Sequence, residues 1–162
     1  MRHWKPAMMS VAASGLLGAA PAPVELAELS VLRGVKPGLW HHVFTTIPKN
    51  PAVANQQEKG CISETQLKAM LQQSLADGPG ERHCPITINS NGVSKAQFTM
   101  HCPSVTIPSL GIAAPGAEMP AVIEKTEGQE HWVVSVKTPA VPGITPAATW
   151  WHEYRRLGDC SG

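Results

Sequence analysis

The sequence predicts an α+β fold that is mainly β: an antiparallel sheet of about five to six strands, one amphipathic helix packed on a face, and two disulfides. Three observations support this prediction. Short segments with period-2 apolar alternation recur after residue 36. One segment has helical apolar spacing with a signal at each end. The chain also contains four cysteines, an even number.

The N-terminus has the pattern of a secretory signal, which we predict over residues 1–22. Arg2 and Lys5 precede an uncharged run over residues 7–22 that ends in small residues. The run is too short, and too diluted by serine and glycine, to span a bilayer. No transmembrane segment is therefore expected in the mature chain.

The rest of the chain is predicted to be one domain. Residues 23–35 are expected to be a tether or a short helix, and residues 36–162 a single disulfide-bonded β-rich domain. Without Arg2 and Lys5, 11 basic side chains remain against 12 acidic ones, a net charge of −1. A chain without a basic excess is not expected to bind nucleic acid.

The first strand is predicted from Leu39 to Ile47. Alternation places Trp40, His42 and Phe44 on one face of this strand. The polar segment over residues 48–59 has no periodicity, and we predict a surface loop there.

One helix is predicted after this loop. Ser63 is expected to cap its first turn and Gln66 to return a bond to Ser63, as in a capping box. Gly78 precedes a proline and is expected to end the helix. The apolar stripe that would pack on the sheet consists of Leu67, Met70, Leu71 and Leu75.

A hairpin at the centre of the chain has a cysteine at each end. A two-residue turn at its tip would place apolar residues opposite polar ones. A five-residue loop over residues 91–95 instead pairs Ile88 with Phe98 and Cys84 with Cys102, so that the apolar side chains share one face. We therefore predict the longer loop.

Two disulfides follow from this register. Four cysteines in an exported chain favour two bonds. The hairpin favours Cys84 with Cys102, which leaves Cys61, before the helix, for Cys160, near the chain end. The cysteine spacings are too wide for a zinc knuckle.

A second hairpin is predicted over residues 119–126 and 129–138. A two-residue turn between its strands would place Ile123 opposite Trp132. The last strand is predicted from about residue 149 to residue 157.

Four landmarks occur along the chain in a fixed order. They are Lys-Pro-Gly-Leu-Trp at 36–40, Gly-Cys-Ile-Ser-Glu at 60–64, Cys84 with Cys102, and Arg-Arg-Leu-Gly-Asp-Cys at 155–160. Together they resemble an exported proteobacterial family known as domain of unknown function 3617. The resemblance covers about residues 36–160, and it implies a signal peptide, a periplasmic or envelope location and a small β-rich domain, but no catalytic residues. The chain departs from the family pattern at His41 and His42, where an acidic and then an apolar residue are usual.

Histidines in or beside the predicted strands are the residues that most nearly suggest a metal site. Neutral imidazole binds zinc, copper and nickel, but a site needs three or four converging ligands, and alternation sends His41 and His42 to opposite faces. No cofactor and no catalytic residue is therefore predicted. A metal-dependent enzyme or metal carrier built on histidine remains the alternative function. Its candidate ligands are His41, His42, His83 and His101, and His131 and His152 also lie in predicted strands.

The aromatic residues have two interpretations. They fill the core of a small sheet, or they line a groove for a ligand. The predicted function is accordingly a periplasmic, non-catalytic binding or envelope-maintenance module, whose partner is a small apolar or amphiphilic ligand or another envelope protein. The candidate ligand contacts are Trp40, Trp132, Trp150, Trp151 and Tyr154.

The signal pattern predicts cleavage between Ala20 and Ala27, with no fatty-acyl group added because no cysteine lies near the site. N-terminal sequencing and intact mass of protein taken from the cell envelope check this. A product that retains Met1, or one that stays in the inner membrane, would contradict the prediction.

Overall fold

The computed structural model describes residues 25–50, 56–76, 83–107, 112–126, 130–141, 143 and 145–160. The predicted signal over residues 1–22 lies outside these residues. Within the described part of the chain, no helix is long and apolar enough to cross a membrane.

Within the described residues, the domain has nine strands and one α-helix. The helix α1 spans Glu64–Leu71 and continues as a π-helical turn over Gln72–Ala76, and two 3-10 turns precede the first strand at Leu26–Glu28 and Ser30–Leu32. The strands are β1 Gly38–Ile47, β2 Gln56–Ile62, β3 Ile86–Asn91, β4 Lys95–Cys102, β5 Val105–Ile107, β6 Ile112–Ala114, β7 Ala117–Thr126, β8 His131–Thr138 and β9 Ala148–Gly158.

The main sheet has seven antiparallel strands in the order β2-β1-β9-β8-β7-β4-β3, and β5 pairs with β6 in a separate small sheet. The predicted count of five to six strands is therefore too low. Strand β2 accounts for the difference, because its first four residues, 56–59, fall within the segment 48–59 that was expected to be a loop. β2 pairs with β1 at the edge of the sheet and most of its side chains are exposed, so its sequence carries no apolar alternation.

The central hairpin, β3–β4, has the predicted pairing at its base. Ile88 lies opposite Phe98, and Cys84 and Cys102 form a disulfide with their Cα atoms 4.3 Å apart. Near the tip the register shifts after Ile88, and the Gly92 N–H donates a hydrogen bond to the backbone oxygen of Lys95 at 2.9 Å. Only residues 92–94 therefore separate the strands, instead of the five residues predicted, because the bulge lets Asn91 pair with Ala96.

The predicted register of the second hairpin is wrong. Ile123 lies opposite Val134 rather than Trp132, and Lys125 lies opposite Trp132. The shift of two residues arises because the loop is longer than a two-residue turn. A shift of two keeps every side chain on its face, so the apolar pattern that predicted the hairpin could not select between the two registers.

One side of the sheet, which we call the front face, carries Trp40, Phe98 and Ile123 and packs against a helical layer. This layer comprises α1, the π-helical turn and the two 3-10 turns. The first 3-10 turn contacts α1, and the second contacts strands β4 and β7. The layer is fixed by the predicted capping box at Ser63 and by the Gly34 N–H, which donates to the Glu64 carboxylate at 2.9 Å. The apolar side chains that the layer buries are Leu26, Leu29, Val31, Leu32, Leu67, Leu71 and Leu75.

The first and last strands of the domain are neighbours. β1 pairs with β9 over its whole length, with one bulge after Leu39. Gly38 permits the close approach there, because a Cβ at this position would collide with the Gly158 oxygen and the Arg156 guanidinium. The disulfide between Cys61 and Cys160, whose Cα atoms are 5.9 Å apart, joins β2 to the residues that follow β9.

Removal of the Cys61–Cys160 bond is expected to act mainly on the unfolded chain, because both cysteines are exposed and the bond spans a sequence separation of 99. The double variant Cys61→Ser with Cys160→Ser should lose up to about 4.7 kcal/mol of unfolding free energy. Urea denaturation followed by circular dichroism measures this loss. An unchanged unfolding free energy would contradict the expectation.

Candidate functional site

The helical layer leaves part of the front face open where strands β2, β1 and β9 lie side by side. The opening is a cleft of about 480 Å³, which we call the ring cleft. Its size falls in the range of about 300 to 1,000 Å³ that is typical of small-molecule sites. The residues that line it are His42, Phe44, Gln56, Glu58, Met70, Trp150, His152 and Tyr154.

A second cleft of about 390 Å³ lies next to the ring cleft, and the Trp150 side chain lines both. Trp150 is 39% exposed, an unusual exposure for so large an apolar side chain. We call this second opening the proline cleft. In the described part of the chain, the prolines that line it are Pro48, Pro115, Pro139 and Pro146, and Lys49 is the one charged residue in its lining.

The register between β1 and β9 produces a continuous row of rings on the open face. His42 lies opposite Tyr154, and Phe44 lies opposite His152. The ring of His42 stacks on that of Tyr154 with centroids 4.4 Å apart, and Phe44 lies 4.7 Å from His152. Trp150 continues the row with its ring perpendicular to Phe44 at 6.2 Å. Each strand contributes alternate residues, so a period-2 pattern builds the row.

His42 and His152 are joined by a hydrogen bond of 3.1 Å between Nε2 of His42 and Nδ1 of His152. Burial, with a smaller contribution from the neighbouring His42, lowers the pKa of His152 to about 4. Burial also lowers the pKa of His42, although the nearby Glu58 carboxylate opposes this effect. Both rings are therefore uncharged at neutral pH, and one donates its N–H to the other.

The second ring nitrogen of His152 has no partner. Nε2 is buried, and no hydrogen-bond partner for it occurs among the described residues. Leaving a buried polar group unpaired costs about 1 to 3 kcal/mol. Packing alone does not explain a histidine at this position, because an apolar ring would avoid that cost.

The sequence-predicted aromatic contacts divide into three groups. Trp40, Trp132 and Tyr154 are almost completely buried, although Tyr154 still forms part of the cleft wall. Trp151 points to the opposite face of the sheet from Trp150, because neighbouring strand residues alternate. Trp150 is the predicted contact that is open to a ligand.

The candidate metal ligands do not converge. His42 lies in the ring cleft, whereas His41 lies on the opposite face and lines a separate small pocket with Glu153 and Arg155. His101 binds Thr87 at 2.9 Å and lies 3.4 Å from Glu118. In the residues that the structure describes, His83 included, no group of three potential ligands is placed to hold a metal ion.

Sequence reasoning missed three contributors to the cleft. Glu58 lies on β2, the strand that was expected to be a loop, and Met70 was assigned to the apolar stripe of the helix. His152 was one of several strand histidines with no apparent partner. Its pairing with His42 depends on the β1–β9 register, which links residues 110 positions apart, and no local pattern reveals such a contact.

The comparison with protein families gives one result. A family model described as "Protein of unknown function (DUF3617)" matches residues 35–160. No curated protein and no solved structure matches the chain.

The buried histidine pair predicts that the folded protein loses stability in acid. The folded pKa of His152 lies near 4, below the unfolded value of 6.5, so the unfolded state binds more protons between these pH values. Stability should therefore fall as the pH drops from about 6.5 to about 4, by on the order of 3 kcal/mol from this residue. The measurement is urea unfolding at a series of pH values.

The variant His152→Phe should flatten that pH dependence because it removes the buried titrating ring. His101→Gln, on the exposed opposite face, is the matched control and should retain the wild-type profile. Parallel pH profiles of stability for His152→Phe and the wild type would contradict the assignment of the acid sensitivity to His152.

Proposed function

The chain belongs to the DUF3617 family of proteins of unknown function, and we propose that it is an exported, non-catalytic module that binds a small apolar or amphiphilic ligand in the ring cleft. The periplasm is the proposed location. Both parts of the proposal rest on residues of this chain, the first on the cleft and the second on the N-terminal pattern.

The open aromatic row carries the ligand-binding proposal. Phe44 and Trp150 present apolar surface in a concave opening that the helical layer leaves uncovered. Small-molecule sites combine such surface with a few polar groups that fix orientation. The carboxylate of Glu58 is a polar group of this kind.

The paired histidines favour binding over acid–base catalysis. A general base is most effective when its pKa lies near the working pH, whereas the pKa of His152 is about 4. Each ring of the pair instead offers a neutral, planar wall. Proteins that position a ligand need such fixed walls, because side chains already held in place lose little freedom on binding.

Export is supported by two features. The charged start and the uncharged run over residues 7–22 fit a secretory signal. The chain also forms two disulfides, which persist in oxidising compartments such as the periplasm.

Binding of N-phenyl-1-naphthylamine, an uncharged apolar dye that fluoresces when it leaves water, tests the proposal. The wild-type protein should bind the dye, and Trp150→Ala should weaken binding about tenfold, because a lost aromatic contact of about 1.4 kcal/mol corresponds to that factor. Phe44→Ala should weaken it similarly. Fluorescence titration gives the dissociation constants.

Trp151→Ala is the matched control, since it removes the same side chain from the adjacent position on the opposite face. Its affinity for the dye should equal that of the wild type. Equal affinities for Trp150→Ala and the wild type, or a loss confined to Trp151→Ala, would refute the ring cleft as the site.

A further inference from the structure

We infer that the ligand of the ring cleft is an organic cation with an apolar tail, whose charged end lies between Glu58 and Phe44 and whose tail passes Trp150 into the proline cleft. This inference rests on the proposed function of the cleft and adds the charge and orientation of its ligand. Three features of the site carry it: the charge of each cleft, the register of β2 on β1, and the neutrality of the histidine pair.

The two clefts have opposite charges. Among the described residues that line each opening, Glu58 is the only one with a formal charge in the ring cleft, and Lys49 is the only one in the proline cleft. Because both openings share Trp150, a ligand that spans them meets a carboxylate at one end and an ammonium group at the other. A single positive charge is therefore favoured at the Glu58 end and disfavoured at the Lys49 end.

The register of β2 on β1 places Glu58 beside aromatic rings. Glu58 lies directly opposite His42, and Gln56 lies opposite Phe44, so Phe44 is the diagonal neighbour of Glu58. Diagonal pairs lie within reach of long and aromatic side chains. A cation between Glu58 and Phe44 thus gains both an ion pair and the attraction of an aromatic face for positive charge.

The histidine pair is compatible with a positive charge nearby. Histidines that titrate near neutral pH would become positively charged and repel a cation, but burial lowers the pKa of both His42 and His152. The same burial leaves an uncharged wall of rings along the path of the tail. An anionic ligand would meet no positive side chain in the ring cleft, since none lines it among the described residues.

The proline cleft suits the tail. Its walls include Met119, Val141 and Ala148 in addition to the four prolines, and these side chains offer apolar surface without donors. Trp150 forms the common wall, so a tail that leaves Phe44 passes this ring before it reaches the prolines. Burial of the tail supplies the apolar part of the affinity.

Competition against the bound dye tests the inference with three probes whose hydrocarbon tails are nearly equal in length. At pH 8, decyltrimethylammonium carries one positive charge, decyldimethylamine N-oxide is uncharged overall, and decanoate is negative. All are used below the concentrations at which they form micelles. The cation should displace the dye at least tenfold better than the N-oxide, and decanoate should be the weakest competitor.

Glu58→Gln should reduce displacement of the dye by the cation to the level seen with the N-oxide. Displacement by the N-oxide itself should not change. Glu118→Gln is the matched control, because it removes the same charge from an exposed position on the opposite face, where the side chain is 76% exposed. This control should keep the preference for the cation. The ranking of the three probes in the wild type tests the inference without any variant.

Equal displacement by all three probes would overturn the cationic ligand. If Trp150→Ala still weakened dye binding in that case, the proposed binding function would stand with an uncharged ligand. If the dye did not bind the wild type, the proposed function itself would fail. A cation preference that persisted in Glu58→Gln would refute the assigned position of the charge.

Discussion

Strands β1 and β9, the first and last of the main sheet, lie side by side, and most features of the candidate site follow from their register. The pairing sets His42 against Tyr154 and Phe44 against His152. A slip of β9 by one residue would send its rings to the other face and interrupt the row. The Cys61–Cys160 disulfide links β2 to the residues after β9. β2 also pairs with β1 at the edge of the sheet. The site is therefore assembled from parts of the chain that are distant in sequence.

Coverage by the helical layer decides which aromatic residues fill the core and which form a cleft. Under the layer, Trp40 and Trp132 are almost completely buried and contribute to stability in the usual way. Beyond its edge, Trp150 remains exposed, and Nε2 of His152 is buried without a hydrogen-bond partner among the described residues. The first feature leaves apolar surface in water and the second leaves a polar atom unpaired, so both reduce stability. Ligand binding is the proposed use of the open surface at Trp150.

Local patterns predicted much of the fold. The capping box at Ser63 was identifiable because its two side chains are three residues apart, and the register at the base of the central hairpin followed from pairing apolar residues and cysteines. The second hairpin shows the limit of this reasoning, because period-2 alternation is unchanged by a shift of two residues. Strand β2 shows another limit, since an exposed edge strand is held by backbone bonds that leave no apolar pattern.

The site was less predictable than the fold. The sequence identified aromatic residues that could contact a ligand, but it could not divide them between core and cleft, because that division depends on where the helical layer ends. Glu58 was hidden in a segment expected to be a loop. The pairing of His42 with His152 needs the β1–β9 register, which arises from tertiary contacts alone.

Indole N–H signals in an NMR titration test the central claim most directly, because each tryptophan of the domain reports on a different environment. Assignment by single Trp→Phe replacements would identify Trp40, Trp132, Trp150 and Trp151. Addition of N-phenyl-1-naphthylamine should shift the Trp150 signal and leave those of Trp40, Trp132 and Trp151 in place. A shift of Trp151 with Trp150 unmoved would place the ligand on the opposite face and contradict the account.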